Sequence, residues 1–139
     1  MSCFFYDDAV QSKLKNKRIL SKYICESVFL EIQIPAQLQY VFVTDEALLT
    51  MNEQFLQHNT FTDIITFNLS ENSKKLIGEI YISVDRVTEN ASKFSTTYVH
   101  ELHRVIFHGA LHLCGYKDKS HKDKTIMRGM EDKWLSKYF

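Results

Sequence analysis

Apolar and polar positions along the chain recur with two periods, and the switches between them mark out a series of elements. Phe4, Phe5 and Tyr6 form a short aromatic run that predicts a strand. Over 13–29, Leu14, Ile19, Leu20, Tyr23, Ile24, Val28 and Phe29 recur at helical spacing, with Lys and Glu on the other face. That stretch predicts an amphipathic helix, and Pro35 prevents its continuation. Residues 38–44 are β-branched and aromatic and predict a strand. Thr44 then reads as an N-cap, with Asp45 and Glu46 in the first turn of a helix ending near Gln57. Residues 64–69 and 76–84 predict two more strands, and the polar stretch 70–75 between them suits an antiparallel hairpin. Helices are expected over 85–94, over 97–114 with Gly115 as its stop, and over 124–138. This order predicts an α+β fold, a small mixed β-sheet packed with helices.

Composition narrows the picture. A chain of 139 residues with Gly 4 and Pro 1 shows no repeat and no linker, so 1–139 is expected to be a single domain. Lys+Arg 17 balance Asp+Glu 17, so any polyanion has to be met by a local patch, not by bulk charge. No apolar stretch reaches membrane-span length, and the first residues lack a basic region or a signal-like apolar run, so no membrane partner is expected. Cys3, Cys25 and Cys114 are odd in number and far apart, which reads as reduced thiols in a cytoplasmic protein. The oddity is histidine: of the 6 in the chain, 5 lie after residue 99.

His108 and His112 are four apart in a predicted helix, which puts both imidazoles on one face. Two neutral imidazoles at that spacing can share a transition metal, zinc being the usual occupant. A chain reversed at Gly115 can return a third ligand, and Asp118 and His121 are both candidates. The spacing is similar to a metalloprotease HExxH helix, but Gly109 stands where the general-base Glu would be, so a peptidase loses its chemical support.

The stretch His108-Gly109-Ala110-Leu111-His112-Leu113-Cys114-Gly115-Tyr116 resembles the signature of the YbeY family of bacterial metal-dependent endoribonucleases. Asn52-Glu53-Gln54-Phe55, then Thr62-Asp63-Ile64-Ile65-Thr66-Phe67, and Ile77-Gly78-Glu79-Ile80-Tyr81-Ile82-Ser83 are similar to two further family segments in the same order. The resemblance implies an α+β fold and one zinc ion held by three side chains at a cleft. It also implies a single-stranded RNA substrate and work in ribosomal RNA maturation and ribosome quality control, with small-subunit ribosomal RNA precursor or the ribosome as partner. Carried over by position, the ligands are His108, His112 and Asp118, the last standing where the family has a third histidine; His121 is its rival. The family's Asp before that histidine falls on Lys117, its Pro before Thr62 on Phe61, and its Arg after the Asn-x-x-aromatic motif on Leu56. Leu56 motivates the alternative of an RNA- or ribosome-associated protein with a structural metal and little hydrolytic activity.

The remaining candidates follow from residue type and place. His58, in a polar loop, is a candidate for proton transfer across the cleft, and Thr62 and Asp63 for orienting the site. His100 and His103 are offset around the helix and read as surface or packing residues. Lys117, Lys119 and Lys122 adjoin the histidine motif and are candidates for RNA phosphate contacts, with Arg86, Arg104 and Arg128 as further cations.

Overall fold

The central strands of the sheet are almost continuously apolar, and helices cover both of their faces. The computed structural model of the chain describes residues 2–56 and 62–139. In chain order the elements are β1 (Ser2–Asp7), α1 (Lys17–Ile32), β2 (Ala36–Val43), α2 (Asp45–Leu56), β3 (Ile64–Asn68), β4 (Leu76–Ser83), α3 (Val84–Lys93), α4 (Tyr98–Leu113) and α5 (His121–Tyr138). The strands lie in the order β1-β2-β4-β3. β1 and β4 run parallel to β2, while β3 pairs antiparallel to β4 in the expected hairpin, with Ile64 opposite Ile82. The mixed sheet and α+β class are as the sequence pattern predicts.

On one face Leu38, Tyr40, Phe42, Ile80 and Ile82 pack with Leu20, Ile24 and Val28 of α1 and with Ile106, Phe107 and Leu111 of α4. On the other, Val43, Leu48 and Ile65 form a smaller core, with Met51, Phe67 and Tyr81 around it. Tyr40 is fully buried, and its hydroxyl donates to the Ile106 carbonyl at 2.9 Å, so the sheet and α4 share a satisfied polar contact.

Two helix starts differ from the sequence reading by three residues or more. α1 begins at Lys17, not Lys13, because Lys13 (φ 59°) and Asn16 (φ 56°) adopt the left-handed backbone, which an α-helix cannot absorb. Leu14 is therefore buried from a loop, and Ile19, counted on the apolar stripe, is 64% exposed. α5 begins at His121, not Lys124. Ser120 accepts from the Asp123 backbone amide at 3.0 Å, and Asp123 accepts from the Ser120 amide at 3.3 Å, a reciprocal cap that starts the helix one turn earlier. The Thr44 cap is present: its hydroxyl oxygen accepts from Ala47 N at 3.1 Å.

α4 is buried along nearly its whole circumference, with Glu101 to Phe107 and Gly109 to Leu111 all inside. Gly109 permits the close approach to the sheet: a Cβ there would stand 2.9 Å from both Ile64 Cδ1 and Ile80 Cγ2. The neighbouring His108 is thereby held at the sheet surface. Gly109→Val should lower the unfolding free energy by about 1–3 kcal/mol through overpacking, read as a lower urea midpoint. An unchanged midpoint would show that α4 and the sheet are not in close contact at this turn.

Candidate functional site

The histidine pair sits at the C-terminal end of α4, where the chain must turn sharply. Gly115 makes the turn at φ 108°, a conformation that favours glycine. Behind it the Tyr116 amide donates to the Leu111 carbonyl at 3.1 Å, and the Tyr116 hydroxyl donates to Glu31 of α1 at 2.9 Å. The loop is thus anchored at Tyr116 and again at the Ser120 cap, and Asp118 lies between the two anchors. Its Oδ2 stands 3.7 Å from His108 Nε2.

Each imidazole is oriented through its other nitrogen. His108 Nδ1 is 2.7 Å from Glu131 Oε2, and His112 Nδ1 is 3.1 Å from the Tyr116 carbonyl oxygen. An ionised carboxylate and a carbonyl only accept, so both Nδ1 atoms donate, and in the neutral imidazoles the Nε2 lone pairs are the ones open to a ligand. Glu131 is buried; burial alone would raise its pKa, but the His108 hydrogen bond and the Arg104 guanidinium outweigh burial and hold its carboxyl below the usual range. Arg104 is consumed in this arrangement. Its guanidinium donates to Glu131 Oε1 at 3.0 Å and to both carboxylate oxygens of Glu101.

His108, His112 and Asp118 line a cavity of about 410 Å³. Thr62, Asp63, Ile64 and Thr66 form one wall, Asn90 of α3 and Phe94 at its C-cap another, and Arg104 and Arg128 supply the cations. Burial pushes the Asp63 carboxyl above its ordinary pKa, against the lowering pull of His108 and Arg104. Asn90 Nδ2 reaches Asp63 Oδ2 at 3.4 Å. Thr62 lines the cavity, but its hydroxyl donates to the Ile64 carbonyl at 3.3 Å, so it shapes the entry to β3.

The other expected residues fall elsewhere. His121 is an exposed first residue of α5 and does not line the cavity, and neither do the exposed Lys117, Lys119 and Lys122. His103 is a packing residue, as expected. Its Nδ1 donates to the Val99 carbonyl at 2.7 Å and its ring stacks 5.5 Å from Tyr138. His100 is exposed. His58 and Phe61 lie outside the described residues. Glu131 and the Glu101–Arg104 pair were invisible to sequence reasoning, because charges at helical spacing ordinarily mark a solvated face. Phe94 was counted only among the helix residues.

The donor chemistry fits a zinc ion. Two ligands of one tetrahedral zinc stand about 3.3 Å apart, close to the observed separation of His108 and Asp118, and each histidine has the outer hydrogen bond that metal-ligating imidazoles use. Among the described residues, however, no three donors are already drawn together as a metal-holding group.

The family model described as Endoribonuclease YbeY matches residues 6–139 of the chain. The chain is 44% identical over 133 residues to Endoribonuclease YbeY of Cytophaga hutchinsonii, covering 96% of this chain and 93% of that one. It is 43% identical over 131 residues to the Porphyromonas gingivalis protein of the same name, covering 94% and 86%. The solution structure of TM1509 from Thermotoga maritima superposes with a TM-score of 0.66 at 30% identity, covering 96% of this chain and 86% of the other.

The buried charges yield two expectations. Glu131→Ala should destabilise the fold by about 3 kcal/mol, because it removes the buried carboxylate shared by His108 and Arg104 and leaves Arg104 with Glu101 alone. Asp63→Asn should do the reverse at neutral pH. With a folded-state pKa above its unfolded value, Asp63 favours the fold fully only below the unfolded pKa and loses that contribution as pH rises through the folded one. The Asn variant should therefore melt higher than the parent at pH 7, with the gap closing on acidification. Thermal melts of both variants across pH 3–8 check this; a lower melting temperature for Asp63→Asn at pH 7 contradicts it.

Proposed function

The chain belongs to the YbeY endoribonuclease family, and from that premise we propose that it is a zinc-dependent endoribonuclease that cuts single-stranded RNA in ribosomal RNA maturation and ribosome quality control. An RNA-cleaving role is what family membership supports. The zinc, the single-strand preference and the ribosomal RNA substrate go beyond it. The metal reading rests on one arrangement: His108 Nε2 faces the Asp118 carboxylate at 3.7 Å, while the Nδ1 atoms of His108 and His112 are taken up by Glu131 and the Tyr116 carbonyl. His108, His112 and Asp118 would hold the ion.

A zinc ion so held supplies Lewis-acid polarisation of a phosphoryl oxygen and lowers the pKa of a bound water. The chain's own residues do the rest. Glu131 keeps the proton of His108 on Nδ1 and so keeps Nε2 a ligand. Asp63, in the same cavity and more ready than an ordinary aspartate to hold a proton, is placed to take one from an attacking water. Asn90 fixes the Asp63 carboxylate, and Arg128 meets the phosphate charge. Lys117, Lys119 and Lys122 stand outside the cavity, where they suit the flanking strand.

No helix among the described residues is long and apolar enough to cross a membrane, and Cys3, Cys25 and Cys114 are free thiols. Both support work in the cytoplasm.

Metal analysis of the purified protein should find about one zinc per chain, lost in His108→Ala and His112→Ala. The same variants should cut a single-stranded RNA at least 100-fold more slowly. Full metal content in both variants rejects the ligand assignment. Metal-dependent RNA binding with no cleavage under any divalent supplement points to the alternative, an RNA- or ribosome-associated protein with a structural metal. Asp118→Ala compared with His121→Ala decides the third ligand: only the former should lose metal.

A further inference from the structure

Two residues of the cavity are unexplained by the fold and by the metal. Phe94 belongs to neither hydrophobic core and leaves 52% of its surface exposed while lining the cavity wall. Its backbone is held rigidly: its amide donates to Asn90 O at 2.9 Å, and the Thr96 amide two residues later donates to Ala91 O, also at 2.9 Å. The Lys93 ammonium sits 5.7 Å from the ring centroid. A large aromatic on a fixed backbone, met by no other ring among the described residues and only by a mobile lysine side chain, is a surface on which a base can stack.

Arg128 is the complementary case. Of the two cavity cations, Arg104 is saturated by Glu101 and Glu131. Arg128 lines the cavity with its side chain 54% exposed, and its Nε is 3.9 Å from Glu131 Oε1, beyond hydrogen-bonding reach. That oxygen is already held by Arg104. Among the described residues no hydrogen bond occupies the Arg128 guanidinium. Its five donors are therefore free for an anion with several oxygens in one plane. Asp63 and Asp118 line the same space, so a polyanion entering it needs that charge.

We propose that Phe94 and Arg128 form a nucleotide clamp across the cavity, in which the ring stacks on an unpaired base and the guanidinium holds an adjoining phosphate of the same strand. This rests on the reading of the site as an RNA-cutting centre and deepens it. A base inside a duplex has its faces covered by its neighbours, so stacking on Phe94 selects strands that can expose a base. The single-strand preference then resides in this ring, while Arg128 supplies affinity without reading the base.

The two contacts have different physical signatures, which makes them separable. Initial cleavage rates of the zinc-supplemented full chain are measured on a short single-stranded RNA at several salt concentrations. Arg128→Gln should lower kcat/KM about tenfold, mainly through KM, and reduce the slope of its logarithm against log salt by about 0.7, the value of one phosphate contact on a single strand. Arg128→Lys should keep most of that slope. Phe94→Ala should also lower kcat/KM about tenfold but leave the salt slope unchanged, and its penalty should vanish on a duplex of the same sequence. With chelator present to keep the strand intact, an oligonucleotide carrying 2-aminopurine should be quenched on binding the parent and not on binding Phe94→Leu. Lys22→Gln, on the exposed face of α1, is the charge control and should match the parent.

If the parent binds and cuts single-stranded RNA while both cavity variants stay within twofold of it, the clamp is wrong and the endonuclease reading stands. The clamp is equally overturned if Arg128→Gln and Lys22→Gln lose the same slope, or if Phe94→Leu quenches as the parent does. A parent that neither binds nor cuts any single-stranded RNA removes the proposed function and the clamp together.

Discussion

One carboxylate sets the geometry on which the rest depends. Glu131 is 2% exposed, accepts from His108 and Arg104, and belongs to the helix that closes the fold over α4. A buried carboxylate is tolerated only when its partners compensate for the lost hydration, and here they do so from two sides. The consequence is positional: α5 can dock on α4 in one register, the one that aligns Glu131 with both partners. Gly109, one residue from His108 on the same helix, sets the depth at which α4 rests on the sheet. Register and depth together decide where the imidazole points.

The two buried-site arginine neighbours show how similar groups acquire opposite roles. Arg104 and Arg128 approach the same oxygen of Glu131. Arg104 comes from inside and is locked by Glu101, so its charge is spent on the fold. Arg128 comes from the solvent side and keeps its donors. A chain whose formal charges cancel can therefore still carry a local positive field where it is needed, because cancellation is a property of the sum and not of the place.

How far the sequence revealed this depended on whether a feature was local. The His108–His112 spacing, the Gly115 stop, the Thr44 cap and the β3–β4 hairpin are rules of a few residues, and each is realised in the structure. The early start of α5 was also local, since Ser120 and Asp123 stand at capping-box spacing, but the Lys-rich run around them disguised it. The start of α1 was only partly local: Asn16 is a residue type that tolerates the left-handed backbone, but nothing in Lys13 announces it. Glu131 was the least legible. Arg128, Asp132 and Lys133 surround it as on any solvated face, and only the docking of α5 turns that carboxylate inward. Asp118 was separable from His121 only by family position; in space, the turn and the cap bring the first toward His108 and carry the second away.

The placement of Glu131 on α5 also bears on the order in which the chain is made. α5 is the last of the described elements in chain order, so during synthesis Arg104, His108 and the whole sheet emerge before their counter-charge. Until then Glu101 is the only acidic partner that the local helix offers to Arg104. A chain that has not reached residue 131 lacks the carboxylate that orients His108, while the Tyr116 carbonyl that orients His112 is already present. The orientation of His108 thus waits for the last described element to be made, whereas that of His112 does not.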